Sequence, residues 1–453
     1  MNKLIITVLA AGLLTSCGIM KKYERPDDIS TENLYGDVQN GDENTSLGNV
    51  KWHDLFGDAK LQTLIEEGLK NATMQTIDLR IHEMNVALSM TKIAWIPTLA
   101  FAPSGTITSY DFQSPATKIW QAPLVAQWNL GSYGSLTNAR RKAEVNLQMT
   151  KIGRQKAQAS IVSGVANLYY TLCMLDGQYA IAKETEQNWS QMLDMQKKMM
   201  AAGMSNEAAV AQYEANYMGV KAQVMELGTA IRKAENTMCS LLGRTPGPID
   251  RASLDTWSAP SVLETGIPLQ LLARRPDVQL AELDLATAYY TKNEARAAFF
   301  PGLTLTASIG WSNQNGLVNP AKILWSALAS LTQPIFQNGR IVANYKISKD
   351  EMEVAKINFQ QALIAAGNEV NSCLADMKDA NEKVAVYAQQ VAALERACKA
   401  TEALMNNSAG YNYLNVLTAR SSLLSARLSE LSNRYNCIQY TIALYQALGG
   451  GAE

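Results

Sequence analysis

Leu303-Thr304-Leu305-Thr306-Ala307-Ser308-Ile309-Gly310-Trp311-Ser312 alternates an apolar residue with a small or polar one along its whole length. A period of two puts one chemistry on each face of a strand, and about ten residues cross a bilayer when the strand is tilted. Trp120, Ala122, Leu124, Ala126, Trp128 and Leu130 alternate likewise against Gln121, Gln127 and Asn129. Weaker runs hold Leu99, Phe101 and Ile107, then Ile323, Trp325, Ala327, Ala329 and Leu331. One such run alone would suit a soluble sandwich better. Four of them, with Trp toward the ends, read as transmembrane barrel strands.

A long stretch without proline follows each pair of runs. None of the 13 prolines falls between Leu124 and Thr245 or between Ile335 and Glu453. Proline costs about 3 kcal/mol inside a helix, so these spans read as helical. A glycine step interrupts each near its middle, Ala202-Gly203-Met204 and Ala409-Gly410-Tyr411, which predicts a helix–turn–helix hairpin in both. In the first, Val210, Tyr213, Tyr217, Val220, Val224, Leu227, Ile231, Ala234, Met238 and Leu241 recur at spacings of 3 and 4. In the second, Val384, Tyr387, Val391, Leu394, Cys398, Thr401 and Met405 do the same, continued by Leu424, Leu428, Leu431, Tyr435, Ile438, Ile442 and Tyr445. That is a coiled-coil seam. A helix from Tyr133 to Ala202 would reach roughly 100 Å at 1.5 Å per residue.

The same landmarks occur twice in order. Pro97 matches Pro301, Gly134 matches Gly339, Val165 matches Val370, Val210 matches Val416 and Gly243 matches Gly449, at offsets of 204 to 206 residues. Self-similarity on this scale predicts an internally duplicated, mainly α chain whose unit is strand, strand, helix, helix. The expected layout is a signal peptide over 1–16, a lipidated linker over 17–50, a first repeat over 51–250 and a second over 251–453. Four strands cannot close a barrel, since small barrels need about eight. Free edges in hydrocarbon would leave backbone groups unpaired. The barrel must therefore be shared between copies, eight strands in a dimer or twelve in a trimer, with the long helices closing a second barrel on the same axis.

Charge and motifs exclude other classes. Net charge is -1 with 18% charged residues, and no basic stripe marks a nucleic-acid partner. His53 and His82 are the only histidines and have no third partner in the pattern. No phosphate loop follows a strand, so no catalytic residue, metal or cofactor is expected. Cys173, Cys239, Cys373, Cys398 and Cys437 show no metal-ligand spacing and read as small buried hydrophobes on helices. At the amino terminus Lys3 precedes an apolar run, Leu4 to Leu14, too short to span a bilayer. It ends in Leu14-Thr15-Ser16-Cys17, which resembles a bacterial lipobox. Acylation of Cys17, by chains such as palmitate, would anchor the mature chain to lipid. Gly18, rather than Asp, favours the outer membrane.

Taken together, the chain resembles the TolC-like outer-membrane efflux proteins, specifically their NodT-type lipoprotein branch. The residues that carry this are Tyr23-Glu24-Arg25-Pro26, then Trp52, Leu55 and Phe56 opening the first helix. Leu272-Ala273-Arg274-Arg275-Pro276-Asp277-Val278 with Ala281-Glu282, Phe300-Pro301, Gln333-Pro334-Ile335-Phe336, Gly339-Arg340 and Ala447-Leu448-Gly449-Gly450-Gly451 complete it. Pro276 and Asp277 also suit a helix start, and the two arginines read as salt-bridged rather than ligand-binding. The resemblance implies a homotrimer with a 12-stranded β-barrel continuous with a 12-helix α-barrel. Its implied partners are a periplasmic adaptor protein and an inner-membrane RND-type transporter. It makes the turns at Ala202, Gly203 and Met204 and at Ala409, Gly410 and Tyr411 the adaptor-contact tips. Family members often carry Asp rings just past the second tip, where this chain has Asn415 and Thr418. The matching place in the first copy is Ala209, with Glu207 nearby, and an arginine usual before each tip is replaced by Met199 and Asn406. The expected constriction, built from Glu207, Asn415 and Thr418, is polar with weak cation preference. The alternatives are a periplasmic adaptor lipoprotein, the outer-membrane component of a type I secretion system, or a structural trimeric fibre.

Overall fold

The computed structural model describes residues 19–29, 47–109, 115–254, 257, 274–314, 322–407 and 413–451. These form eight α-helices and five strands: α1 (Trp52–Leu55), α2 (Ala59–Gly68), α3 (Ala72–Ile93), β1 (Thr98–Phe101), β2 (Ser104–Thr108), β3 (Thr117–Ser132), α4 (Ser135–Ala201), α5 (Glu207–Leu242), α6 (Pro276–Ala297), β4 (Gly302–Gln314), β5 (Lys322–Thr332), α7 (Arg340–Asn407) and α8 (Tyr413–Ala447). Cys17, Ala409, Gly410 and Tyr411 lie outside the described residues, as do the expected signal peptide and most of the linker. Among the described residues no helix is long and apolar enough to cross a membrane.

The proline-free stretches are the long helices, of 67 residues in α4 and 68 in α7. The first helical segment, opened by Trp52, is not one piece. It is split into α1, α2 and α3, because Asx side chains capture backbone donors that a continuous helix would need. Asp58 accepts from Lys60 N at 2.9 Å and Asn71 from Met74 N at 3.1 Å, and each restarts a helix.

Two compact units result. One comprises Met1–Ser30, Asp78–Ile152 and Gln279–Ala362, and contains the sheet. Its antiparallel order is β1-β3-β4-β5, with β2 also on β3. β1 and β2 continue one register along β3, from Thr98 opposite Gln127 to Thr108 opposite Thr117. They are parted at Pro103, which has no N–H for the ladder, while Ala102 N still reaches Pro123 O at 3.0 Å. A bulge between Asn129 and Gly131 re-aims β3 into α4.

The second unit comprises Thr31–Ile77, Gly153–Val278 and Leu363–Glu453. Its core takes Phe56, Leu61, Ile65, Val165, Leu172, Met238 and Ile442, all buried. Every seam position from Val210 to Leu241 is buried or half-buried. In the second hairpin the described seam positions behave likewise except Val384, which is 39% exposed. Cys173, Cys239 and Cys398 are buried and Cys373 and Cys437 half-buried, all free and all on helices. Burial pushes the Cys173 thiol up to about 12.

Candidate channel surfaces

Register turns the strand pattern into two faces. Leu99, Ala126, Ala307 and Ala327 stand opposite one another across the four strands, as do Phe101, Leu124, Ile309 and Trp325. Trp128, Leu305 and Ala329 form the next row, and Ala122, Trp311 and Ile323 another. Because side chains alternate, the opposite face collects Gln121, Gln127, Asn129, Thr304, Thr306, Ser308, Ser312, Ser326 and Ser330, with Val125, Leu324 and Leu328 as larger apolar residues among them. One face is therefore suited to hydrocarbon and the other to water. Trp120 and Trp311 lie toward one end of the strands and Trp128 toward the other, the two levels where aromatic girdles sit at membrane interfaces, while Trp325 shares the middle row with Leu124 and Ile309.

Among the described residues neither edge of this sheet is paired. β1 and β2 bound one side and β5 the other. Leu99 is 69% exposed on the first edge and Trp325 is 74% exposed on the last. Gly105 lies under the Trp120 ring, where an added Cβ would fall 2.4 Å from Cζ3, so the cross-strand tryptophan fills the glycine's space.

Residues 19–29 form a strap along the helices of the sheet-bearing unit. Ile19 is fully buried beside Gly134, its carbonyl accepts from Asn138 Nδ2 at 3.1 Å, and Met20 O accepts from Arg141 at 2.7 Å. Tyr23 N donates to Tyr290 Oη at 3.2 Å, Arg25 Nε donates to Glu282 at 2.8 Å, and Lys356 donates to Asp28. The strap thus begins beside Gly134, two residues past the end of β3.

At the first hairpin turn, Ala202, Gly203 and Met204 are all exposed. Gly203 has φ 72°, Gly203 N donates to Met200 O at 3.0 Å and Met204 N to Met199 O at 2.9 Å. These two bonds define a Schellman stop, which needs a left-handed residue. Asn206 then caps α5 by accepting from Ala209 N at 2.9 Å, and buried Gln196 donates to Ser205.

The starts of α5 and α8 are packed together. Val210 and Tyr213 share one core with Val416 and Leu417, closed by Trp189, whose ring meets Tyr213 edge-on at 5.7 Å. Glu207, Asn415 and Thr418 are exposed. Glu207 and Asn415 make no side-chain hydrogen bond among the described residues, and Thr418 Oγ1 donates to Leu414 O at 2.9 Å. Ala209, the sequence counterpart of Asn415, is buried, so the two copies differ at this level.

Several polar ties escaped the sequence reading because their partners are remote in the chain. Arg251 forks onto Asp176 at 2.5 and 2.8 Å and reaches Glu235 at 2.7 Å. The Tyr169 hydroxyl donates to Asp58 at 2.5 Å and accepts from Ala252 N at 2.8 Å. Arg275, 6% exposed, donates to Asp277 at 3.0 and 2.7 Å, to Glu369 at 2.5 Å and to Ala447 O at 2.8 Å. Burial opposes ionisation of Asp277, but the Arg275 fork outweighs it and holds this carboxyl below its usual range. His53, half-exposed, stacks on Trp52 at 3.4 Å, and no nucleophile adjoins it among the described contacts.

Comparison with known proteins follows from this geometry. The sequence profile of a family described as outer membrane efflux protein matches residues 67–244 and 267–450. The chain is 29% identical over 446 residues to the cation efflux system protein CusC of Escherichia coli K12, covering 97% of each. It is 26% identical over 412 residues to the probable outer membrane lipoprotein SilC of Salmonella typhimurium, covering 90% of this chain and 89% of that one. A crystal structure of CusC superposes with TM-score 0.84 at 26% identity, covering 95% and 99%. The open-state MtrE outer membrane channel of Neisseria gonorrhoeae gives 0.83 at 23% identity, covering 96% and 98%, a likeness of fold alone.

Proposed function

From the premise that the chain belongs to the outer membrane efflux protein family, we propose that it forms the outer-membrane exit duct of a tripartite efflux pump. The duct conducts passively, and the energy comes from its partners. The observation that carries this reading is a sheet with one apolar face, one polar face and two open edges. In hydrocarbon such edges would cost several kcal/mol per unpaired backbone group. β5 of one copy therefore pairs with β1 and β2 of the next. Three copies supply twelve strand positions and leave a water-filled lumen.

The helices support the same number. Besides its covered seam, α5 carries Ala208, Ala211, Ala215, Met218, Ala222, Met225 and Thr229 at spacings of 4 and 3, all exposed. On a 3.5-residue wheel the two seams lie about 154° apart. A ring of twelve equivalent helices turns through an interior angle of about 150° at each helix, so each needs two nearly opposite seams. α4 packs on α5, α8 packs on both, and α8 is tied to α7 through Arg420 with Glu402 and Asn433 with Ala380 O. α5 and α7 are then the ends that meet neighbouring copies.

Cys17 carries the lipid anchor, a reading supported by a strap that starts beside the strand–helix junction. The exposed turn at Ala202, Gly203 and Met204, with its counterpart at Ala409, Gly410 and Tyr411, meets the helical hairpins of a periplasmic adaptor, which links the duct to an inner-membrane RND-type transporter. Glu207, Asn415 and Thr418 line the periplasmic constriction and give it weak cation preference. Planar-bilayer recording of the detergent-extracted, crosslinked protein tests the duct. A conducting trimer is expected, whereas a monomeric, electrically silent protein sinks the reading. Strong cation block abolished by Glu207→Gln would mean a carboxylate gate instead.

A further inference from the structure

We propose that Lys292, Arg296 and Lys349 form a binding site for the headgroup of an anionic phospholipid in the periplasmic leaflet, an inference that rests on the membrane reading above. Lys292 and Arg296 are one turn apart on α6, where such side chains are neighbours. Across from them on α7, Lys292 Nζ approaches Met352 Sδ at 3.3 Å, and Lys349 stands one turn before Met352. Lys292 also lies over the Tyr289 ring at 4.9 Å. Among the described residues no carboxylate lies within ion-pair distance of any of the three cations. Burial first and then Arg296 lower the Lys292 pKa, Glu353 pulls it the other way, and Lys349 adds a smaller push down. This is a crowd of positive charge that a bound anion would relieve.

Position selects a lipid as that anion. The rings of Phe299 and Tyr345 meet at 5.8 Å and level α6 with α7 just before the strands. At 1.5 Å per residue, Arg296, Lys349 and Lys292 lie roughly 5, 6 and 10 Å from that level. The headgroup layer is about 5–8 Å thick on each side, and long basic side chains reach into it. Phe299, Ile335 and Phe336, exposed at the same junction, offer apolar contact to the acyl chains. The strap identifies the side of the wall. Tyr289 Oη donates to Lys21 O at 3.4 Å and its ring meets Tyr23 at 5.8 Å. A strap leading to an acylated Cys17 runs on the lipid side of the helices, and the cations share Tyr289 with it.

Native mass spectrometry of the intact trimer, titrated with phosphatidylglycerol or phosphatidylcholine, tests the site. Phosphatidylglycerol should be retained over phosphatidylcholine. The triple variant Lys292→Gln, Arg296→Gln, Lys349→Gln should lose about hundredfold in affinity, roughly fivefold per cation. Lys349→Gln alone, at an exposed position, should lose about fivefold. Equal retention by wild type and both variants overturns the proposal. Displacement of the lipid by millimolar inorganic phosphate also overturns it, by making this a free-anion site. Altered ion selectivity with unaltered lipid binding would place the cations in the lumen and overturn it too. Conductance of the same sample separates the two readings, because a conducting trimer without lipid preference refutes this inference alone.

Discussion

Gly310→Ala should break the pairing of β3 with β4. Gly310 stands opposite Pro123, and an added Cβ would lie 2.4 Å from both Ala122 O and Pro123 Cα. These are backbone atoms, so no rotamer change can relieve the clash. Restoring ordinary contact near 3.5 Å requires the strands to part by about 1 Å. That weakens roughly two ladder bonds at about 1 kcal/mol each, and overpacking itself costs about 1–3 kcal/mol. The expected loss is about 3 kcal/mol per protomer, roughly 150-fold in the folding equilibrium. Urea unfolding in detergent, followed by circular dichroism, measures it. Gly302→Ala is the internal control. It lies on the same face of the same strand, and its added Cβ would meet nothing closer than 3.6 Å, so its change should stay within about 0.5 kcal/mol. If Gly310→Ala proves as stable as Gly302→Ala, the close strand approach is wrong.

Arg275→Met should destabilise by about 1–3 kcal/mol, because it leaves Ala447 O, Asp277 and Glu369 without their shared donor while water reaches the two part-exposed carboxylates; the denaturant midpoint reads this. Asp277 has a lowered folded-state pKa, so its contribution is present above the ordinary carboxylate range and is lost as pH falls through the folded value. Wild type should therefore weaken below about pH 4, and the difference between wild type and Arg275→Met should shrink there. Gly203→Ala meets no atom within 4 Å but must keep φ near 72°. It should cost about 1 kcal/mol of local strain, seen as faster hydrogen exchange at Met204. The Cys173 thiol, held up at about 12 by burial, should resist maleimide at neutral pH until the protein unfolds.

Much of this architecture was legible in residue order, because its signals are local. Proline absence marked α4, α5, α7 and α8, and the 3–4 spacing from Val210 to Leu241 picked the side that is covered. Alternation at Leu303 to Trp311 picked the apolar face of β4. The breaks in the first helical segment left no periodic signal, since Asp58 and Asn71 act through side-chain oxygens that a periodicity count ignores. The turn at Gly203 was legible because a Schellman stop needs glycine locally. The tie of Arg251 to Asp176 spans 75 positions and left no pattern to find. The Arg275 ties to Glu369 and Ala447 O span 94 and 172 positions.

Period and propensity depend only on neighbours a few residues away, so the chain alone determined which of the described segments are strand or helix and which side of each is apolar. Register depends on pairing between segments as distant as Trp120 and Asn313. Only the tertiary structure decided that Leu99, Ala126, Ala307 and Ala327 share a row, that β1, β2 and β5 are the edges of the described sheet, and that Lys292 of α6 reaches Met352 of α7, one turn from Lys349. Those outcomes are contacts between parts of the chain that carry no mark of one another until the backbone has paired.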